Sequence, residues 1–273
     1  MTLRIGQIEY ANCTPLFTTL EKNFDCRNYQ FIRGVPAKLN GMLARGEIDL
    51  CPASSFEYGK SFEKYYLLPG LSISSIGAVK SVLLFSRLPI ERLDNHAIGL
   101  TTESDTSVNL LKIILNKGYG FVNDFRRTTL PLHEALRSFN ALLLIGDAAL
   151  KEGMQSHGLY VYDLGELWLE LTGLPFVFAL WIVTRQAAEM KNREVKALGA
   201  QLLEAKRLAY GAYEEIAAGC TDMEWISREA LVDYWRTISY DLTPQHMAGV
   251  RQFFGLAKEL RLLPDDPELR LIT

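Results

Sequence analysis

Polar side chains that could bind an anion follow several of the strands that the sequence predicts. Asn12 comes after the first strand, and Ser54 and Ser55 come after the third. Each position precedes a predicted helix, whose first N–H groups lack partners and favour negative charge. An amide side chain both donates and accepts, and hydroxyls with free N–H groups can bind a carboxylate. The same residue types are also common helix caps, so both interpretations stay open.

The second half of the chain repeats this arrangement. Leu100 is followed by polar residues that include Thr106 and Ser107, and then by an amphipathic helical pattern. Gly146 and Asp147 follow another predicted strand, where a glycine would let the backbone approach a ligand closely. A solvated loop and a plain Gly-Asp turn are the alternatives. Taken together, these positions favour anion binding at the ends of strands from both halves.

The elements that must position these residues are alternating strands and helices. Strand-helix-strand order predicts mostly parallel sheets with helices packed on their faces. Two such series follow one another, and the pattern becomes helical after Thr184, with helices predicted over 186–218, 222–239 and 244–260. The long strands near 81–86 and 177–184 are the candidates for crossing between the two series.

This order predicts an α/β protein with two lobes and a ligand cleft between them. Residues 1–86 plus 185–273 are expected to form the first, discontinuous lobe, and residues 87–184 the second. Such a layout is that of a type II periplasmic-binding-protein-like fold. Its ligand is expected in the cleft, at the carboxyl ends of the strands.

Composition and missing motifs exclude several classes of function. The net charge of −3 argues against a broad nucleic-acid-binding face. We expect a cytoplasmic protein without a membrane span, because neither a signal-peptide core nor a run of about 18 apolar residues occurs. The histidines and cysteines lack metal-ligand spacing, and no Gly-rich phosphate loop or Ser-His-Asp pattern occurs. The sequence therefore predicts a small anionic ligand and neither metal nor cofactor.

The strand-end segments resemble the chorismate dehydratase family of the futalosine route to menaquinone. Nine matching segments run in order along the chain: IEYANCTP at 8–15, GVPAKLN at 34–40, GEIDL at 46–50, SSFEY at 54–58, LSISS at 71–75, SVLLFS at 81–86, TES at 102–104 with TS at 106–107, IGDAAL at 145–150 and GLPFVFA at 173–179. Each is weak alone, but nine in register are a strong signal. Ala11 and Thr14 stand where the family more often carries Leu, a change in packing size beside Asn12.

The resemblance implies a reaction and roles for individual residues. Members of that family use a periplasmic-binding-protein fold to remove water from chorismate, giving 3-[(1-carboxyvinyl)oxy]benzoate. The resemblance places Asn12 and Ser81 beside the reacting centre. Asn12 would orient the substrate or bond the departing hydroxyl, and Ser81 would hold a carboxylate or relay a proton. Ser54, Ser55, Thr106, Ser107, Gly146 and Asp147 become substrate-binding candidates. One hypothesis for the base is the substrate's own enolpyruvyl carboxylate, since no His or Lys in the matched segments suits that role.

Three other functions are compatible with this fold. The sister enzyme of the pathway, which forms 1,4-dihydroxy-6-naphthoate, would be expected to place a catalytic His in the cleft. The histidines here avoid the predicted strand ends, although His157 lies just before a strand. A non-catalytic solute-binding protein would require export. A cytosolic ligand-sensing domain would be expected to accompany a DNA-binding domain.

Overall fold

Two five-stranded sheets organise the chain. The computed structural model describes residues 2–156, 158–221 and 223–272. Within these ranges the strands are β1 Leu3–Ile8, β2 Tyr29–Gly34, β3 Leu50–Ser54, β4 Tyr65–Ser75, β5 Val82–Ser86, β6 Ala97–Leu100, β7 Asp124–Arg127, β8 Ala141–Ile145, β9 Tyr160–Asp163 and β10 Phe176–Thr184. The α-helices are α1 Thr14–Asn23, α2 Pro36–Ala44, α3 Ser55–Ser61, α4 Asp105–Ile113, α5 Leu132–Ala135, α6 Gly146–Gly153, α7 Leu164–Thr172, α8 Arg185–Met190, α9 Asn192–Tyr210, α10 Tyr213–Gly219, α11 Arg228–Trp235 and α12 Pro244–Glu259.

Each sheet contains one strand that runs against the other four. The first sheet has the order β2-β1-β3-β10-β4, and β10 pairs antiparallel with β3 and with β4. The second has the order β7-β6-β8-β5-β9, and β5 pairs antiparallel with β8 and with β9. The remaining pairs are parallel. The predicted α/β class with mostly parallel sheets is confirmed.

The two antiparallel strands are also the segments that carry the chain between the sheets. β5 follows the strands of the first sheet in sequence but pairs in the second, and β10 returns to the first sheet. The predicted lobe boundaries, at 86/87 and 184/185, therefore do not coincide with the change of sheet. By strand pairing, 82–86 lie with the second sheet and 176–184 with the first. Patterning cannot resolve this difference, because both strands are almost wholly buried and consist mostly of apolar residues.

The C-terminal segment is helical as expected, but it is more interrupted than the pattern suggests. The helix predicted over 186–218 is three helices, α8, α9 and α10. The helix predicted over 222–239 is confined to α11, and Asp222 lies outside the described residues. Helix α9 packs its buried face on α1 and β4, while α11 and α12 carry large buried rings including Trp235 and Phe253. No helix among the described residues is long and apolar enough to cross a membrane.

Candidate active site

A small cavity lies between the two lobes and is lined by residues of both. It is bordered by Asn12, Ser54 and Ile73 from the first lobe. Its other side includes Ser107 and Gly146. Ser81, which immediately precedes β5, also borders it. Tyr10 is the one ionisable side chain that lines this cavity within the described part of the chain.

Asn12 lies in a short 3₁₀ turn, Ala11–Cys13, between β1 and α1. Its side-chain Oδ1 is buried and has no hydrogen-bond partner among the described residues. The main chain on either side is held firmly: Tyr240 donates to the carbonyl of Asn12 at 2.7 Å, and Trp235 donates to the carbonyl of Ala11 at 2.7 Å. A buried acceptor without a partner costs free energy, so the Asn12 carboxamide keeps an unused acceptor beside the cavity.

Ser81 is 2% exposed, and both its side chain and its main chain are bonded. Tyr234 donates its phenol O–H to Ser81 Oγ at 2.9 Å, and the N–H of Gly146 donates to the Ser81 carbonyl at 2.8 Å. Ser81 Oγ is also 3.4 Å from the carbonyl oxygen of Val79. That distance exceeds the usual range for an O–H···O bond.

The loop before Ser81 is held by Asp163, the last residue of β9. The carboxylate accepts the N–H of Val79 at 3.0 Å and that of Lys80 at 2.6 Å. Lys80 has φ of +60°, a left-handed conformation that is unfavourable for a residue with a side chain. Burial raises the pKa of Asp163, and the bonds from Lys80 and Val79 oppose that rise. Asp163 thus fixes a strained turn that sets where Ser81 enters the cavity.

The start of helix α4 contributes hydroxyls from the second lobe. Ser104 is the N-cap, and its Oγ accepts from the N–H of Ser107 at 3.2 Å and from the Ser107 hydroxyl at 3.3 Å. Both serines border the cavity. Because Ser104 Oγ already accepts twice, its own proton is left to donate. A helix N-terminus with hydroxyl donors favours a negatively charged group.

Three of the predicted binding residues face elsewhere. The Ser55 hydroxyl donates to the carbonyl of Val177 at 2.7 Å, and the Thr106 hydroxyl accepts from the N–H of Phe56 at 2.9 Å. Asp147 accepts from the N–H of Ala11 at 2.9 Å and borders a larger outer pocket that opens to solvent. None of the three borders the cavity itself. Their roles in binding substrate stay predictions.

Contacts between the lobes close the cavity on the side of the outer pocket. Tyr10 donates its hydroxyl to Glu103 Oε2 across the cleft at 2.8 Å, and its ring packs over the Cα of Gly146. Gly146 has φ of +61°, and a Cβ there would lie 2.8 Å from the Tyr10 ring. Burial, followed by the hydrogen bond to Glu103, raises the pKa of Tyr10 far above its usual value. Tyr10 is therefore a neutral wall shared by the cavity and the outer pocket.

Sequence reasoning did not single out several residues at this site. Ser104 and Tyr10 lie inside the quoted motifs, but their side chains gave no separate signal. Tyr234 and Trp235 lie in the helix predicted over 222–239 and Tyr240 directly follows it, and aromatic residues in such a segment usually indicate a core. In the structure all three are buried and bond to residues beside the cavity.

The described histidines lie away from the cavity. His96 bonds the backbone carbonyl of Asp94, and His246 is the third residue of α12, paired with Thr243 in a capping box. His133 is in α5, and His157 lies outside the described residues. Over the described chain, no group of three or more His, Cys, Asp or Glu side chains could hold a metal ion.

Comparisons with known proteins identify the family of this chain. A family model described as menaquinone biosynthesis matches residues 3–259. A chorismate dehydratase of Thermus thermophilus is 34% identical over 91% of this chain and 93% of that protein. A chorismate dehydratase of Campylobacter jejuni is 32% identical over 68% of this chain and 70% of that protein.

The fold agrees with that of solved binding proteins. The structure of the periplasmic aliphatic sulphonate binding protein SsuA of Escherichia coli superimposes with a TM-score of 0.70 at 18% identity, over 98% of this chain and 90% of that one. The predicted periplasmic-binding-protein-like fold is confirmed, and at that identity the likeness concerns the fold alone. Because the family model covers most of the chain, the chain belongs to the menaquinone biosynthesis family.

Proposed function

We propose that this enzyme is a chorismate dehydratase, a hydro-lyase that removes water from chorismate to give 3-[(1-carboxyvinyl)oxy]benzoate. The two dehydratase relatives support the reaction, and both cover more than two thirds of this chain. The observation that carries the proposal is that Asn12 and Ser81 border the same cavity between the lobes. Neutral donors and acceptors of this kind suit orienting and polarising a substrate more than hydrolysing one.

The reaction needs one proton removed from the ring and one hydroxyl expelled. The C–H electrons form the new ring double bond, the C–O bond breaks, and the hydroxide leaves as water after gaining a proton. The new ring is aromatic, so the substrate itself supplies the driving force. The protein has to orient the groups and stabilise charge on the departing oxygen.

Asn12 and Ser81 have complementary capacities for the departing hydroxyl. Asn12 Oδ1 lacks a donor, so it is suited to accept the hydrogen of the ring hydroxyl. Ser81 already accepts from Tyr234, so its O–H is suited to donate to the oxygen that leaves. Ser104 and Ser107 at the start of α4 are suited to bind a carboxylate.

The base is best assigned to the substrate. No carboxylate, lysine or histidine of the described chain borders the cavity, and Tyr10 is kept protonated by burial and by its bond to Glu103. The enolpyruvyl carboxylate of chorismate carries a negative charge and is tethered to the same ring. In this scheme it takes the ring proton and gives it up to the departing hydroxyl, so that water leaves and the carboxylate is restored, while the protein holds it in reach.

The test is turnover of chorismate by the purified protein and by two variants. Formation of the aromatic product is followed by ultraviolet absorbance and identified by NMR. Asn12→Ala and Ser81→Ala are each expected to lower kcat by about 10²-fold, the usual effect of removing one hydrogen bond to a developing charge. Ser86→Ala is the matched control, because Ser86 is a buried serine at the other end of β5 that bonds Leu88.

Each outcome has a separate meaning. Full kcat in both the Asn12 and Ser81 variants would remove those residues from the mechanism. Tight binding of chorismate without turnover by the unaltered protein would favour a solute-binding role instead. Release of a dihydroxynaphthoate from a cyclic nucleoside-derived substrate would identify the sister enzyme.

A further inference from the structure

Tyr234 bonds Ser81 but does not itself border the cavity. We propose that Tyr234 is a positioning residue that holds the Ser81 hydroxyl as a hydrogen-bond donor toward the substrate. The inference rests on the dehydratase function proposed above. It assigns a chemical role to α11, a helix outside the segments that carry the family resemblance.

The geometry determines which hydroxyl donates. Tyr234 is 1% exposed, and its hydroxyl oxygen is 2.9 Å from Ser81 Oγ. Ser81 Oγ is the one acceptor that the described residues provide for this phenol. If Ser81 donated to Tyr234 instead, the phenol proton would be buried without an acceptor, which is costly. Tyr234 therefore donates, and Ser81 accepts.

This assignment leaves the Ser81 proton available. Within the described protein, the acceptor for it is the carbonyl oxygen of Val79, 3.4 Å away, and such a bond is weak. A substrate oxygen in the cavity is a better acceptor. Burial also keeps Tyr234 in its neutral, proton-donating form, because it raises the pKa of the phenol far above its usual range.

The backbone at Ser81 is already held in place, so the direction of the Ser81 hydroxyl is the conformational freedom that remains. Its carbonyl accepts from Gly146, and the two residues before it bond Asp163. Without the phenol, the Ser81 hydroxyl can also rotate to accept from the substrate. That arrangement gives no stabilisation to a departing hydroxide.

The experiment is a double-substitution cycle on chorismate turnover. Tyr234→Phe keeps the ring and removes the hydroxyl. It is expected to lower kcat about tenfold with KM changed less than about threefold, because the lost bond acts on the departing oxygen. In a Ser81→Ala background the same substitution should lower kcat no further. Tyr65→Phe is the control: Tyr65 is also buried, and its hydroxyl faces Glu57 at the far end of β4.

Thermal melting separates a folding defect from the effect on Ser81. Ser81→Ala alone strands the phenol proton, so the double variant should melt at or above the temperature of Ser81→Ala. A kcat for Tyr234→Phe within twofold of the unaltered protein would overturn the inference, as would equal losses in both backgrounds. Absence of turnover by the unaltered protein would overturn the dehydratase function as well, whereas turnover without coupling would overturn the role of Tyr234 alone.

Discussion

Tyr240 donates its phenol hydroxyl to the backbone carbonyl of Asn12 at 2.7 Å, joining residues 228 positions apart in the chain. Tyr240 is fully buried, so the bond lies in the interior behind the cavity. Trp235 makes a parallel bond to the carbonyl of Ala11. The C-terminal segment thus forms the support on which the turn containing Asn12 rests.

Tyr240→Phe tests this support. The change leaves the Asn12 carbonyl without its donor, and an unsatisfied buried group costs about 1–3 kcal/mol of unfolding free energy. We also expect a severalfold lower kcat, because the Asn12 turn loses one of its fixed points. Urea unfolding and chorismate turnover measure the two effects.

The control for Tyr240 is Tyr29→Phe. The Tyr29 hydroxyl bonds Gln201 on a partly exposed surface, so we expect a change below about 0.5 kcal/mol. Equal destabilisation by the two variants would contradict the argument for Tyr240.

Gly146 combines two constraints that substitution can separate. Gly146→Ala places a methyl group in a left-handed backbone conformation and 2.8 Å from the Tyr10 ring. The conformation costs about 1–2 kcal/mol, and the clash adds about 1–3 kcal/mol. Displacing Tyr10 also disturbs its bond to Glu103, so the chorismate KM should rise.

Gly120 isolates the backbone contribution, because it has φ of +73° and a Cβ there meets nothing within 4 Å. Gly120→Ala should lose only the conformational cost of about 1–2 kcal/mol in unfolding free energy. Its KM for chorismate should stay unchanged. If urea unfolding found the two variants equally stable, the contact with Tyr10 would be energetically irrelevant.

Strand-end reasoning located part of the site because parallel strands present their carboxyl ends at one edge. That argument is enough to bring Asn12, Ser54, Ser107 and Gly146 to a common cavity. It does not establish which hydroxyls face a ligand. Ser55 and Thr106 stand at equivalent positions, yet each bonds main chain that only the tertiary structure brings near.

The hydrogen bonds from Tyr234 and Tyr240 to the residues of the cavity could not be predicted from the sequence, for a related reason. Nothing in the sequence distinguishes Tyr234 and Tyr240 from ordinary core residues. A buried phenol bonds whichever acceptor the packing places beside it. The sheet to which each crossing strand belongs is hidden for a similar reason: β5 is wholly buried and β10 almost wholly buried, so their patterns do not report which sheet they join.

Asn12→Leu should separate stability from activity. The buried Asn12 Oδ1 has no partner in the folded protein, so replacing the carboxamide by a similar-sized apolar group removes an unfavourable burial. We expect unfolding free energy to stay constant or rise by about 1 kcal/mol, while kcat falls by about 10²-fold or more. Chemical unfolding and product formation are measured on the same preparation.

Asn123→Leu is the comparison for Asn12. Asn123 also has a buried Oδ1 without a partner, but its amide nitrogen donates to the carbonyls of Leu93 and His96. Losing these bonds should destabilise the protein and leave kcat unchanged. A strongly destabilised Asn12→Leu with normal kcat would show that Asn12 is structural.

Asp147 should make stability fall as pH rises. Burial raises the pKa of its carboxyl, and nearby Glu103 adds to that rise, while the bond from the Ala11 N–H opposes it. The folded protein therefore holds this proton more tightly than the unfolded chain, whose carboxyl titrates near pH 4 (about the model-peptide value). Between that pH and the folded pKa the native state binds more protons, so the unfolding free energy decreases with rising pH.

Asp147→Asn removes the titration and keeps an oxygen that can accept from Ala11. We expect the variant to gain stability relative to the unaltered protein between about pH 4 and pH 7, measured as the difference in urea midpoints.

Asp49→Asn should show the opposite sign of this stability difference. Burial acts to raise the pKa of Asp49, but bonds from Arg4 and Lys191 hold it below its usual value. Ionised Asp49 therefore stabilises the fold, and its variant should lose most at pH 7. Parallel pH curves for the Asp147 variant and the unaltered protein would mean that the Asp147 carboxyl titrates alike in both states.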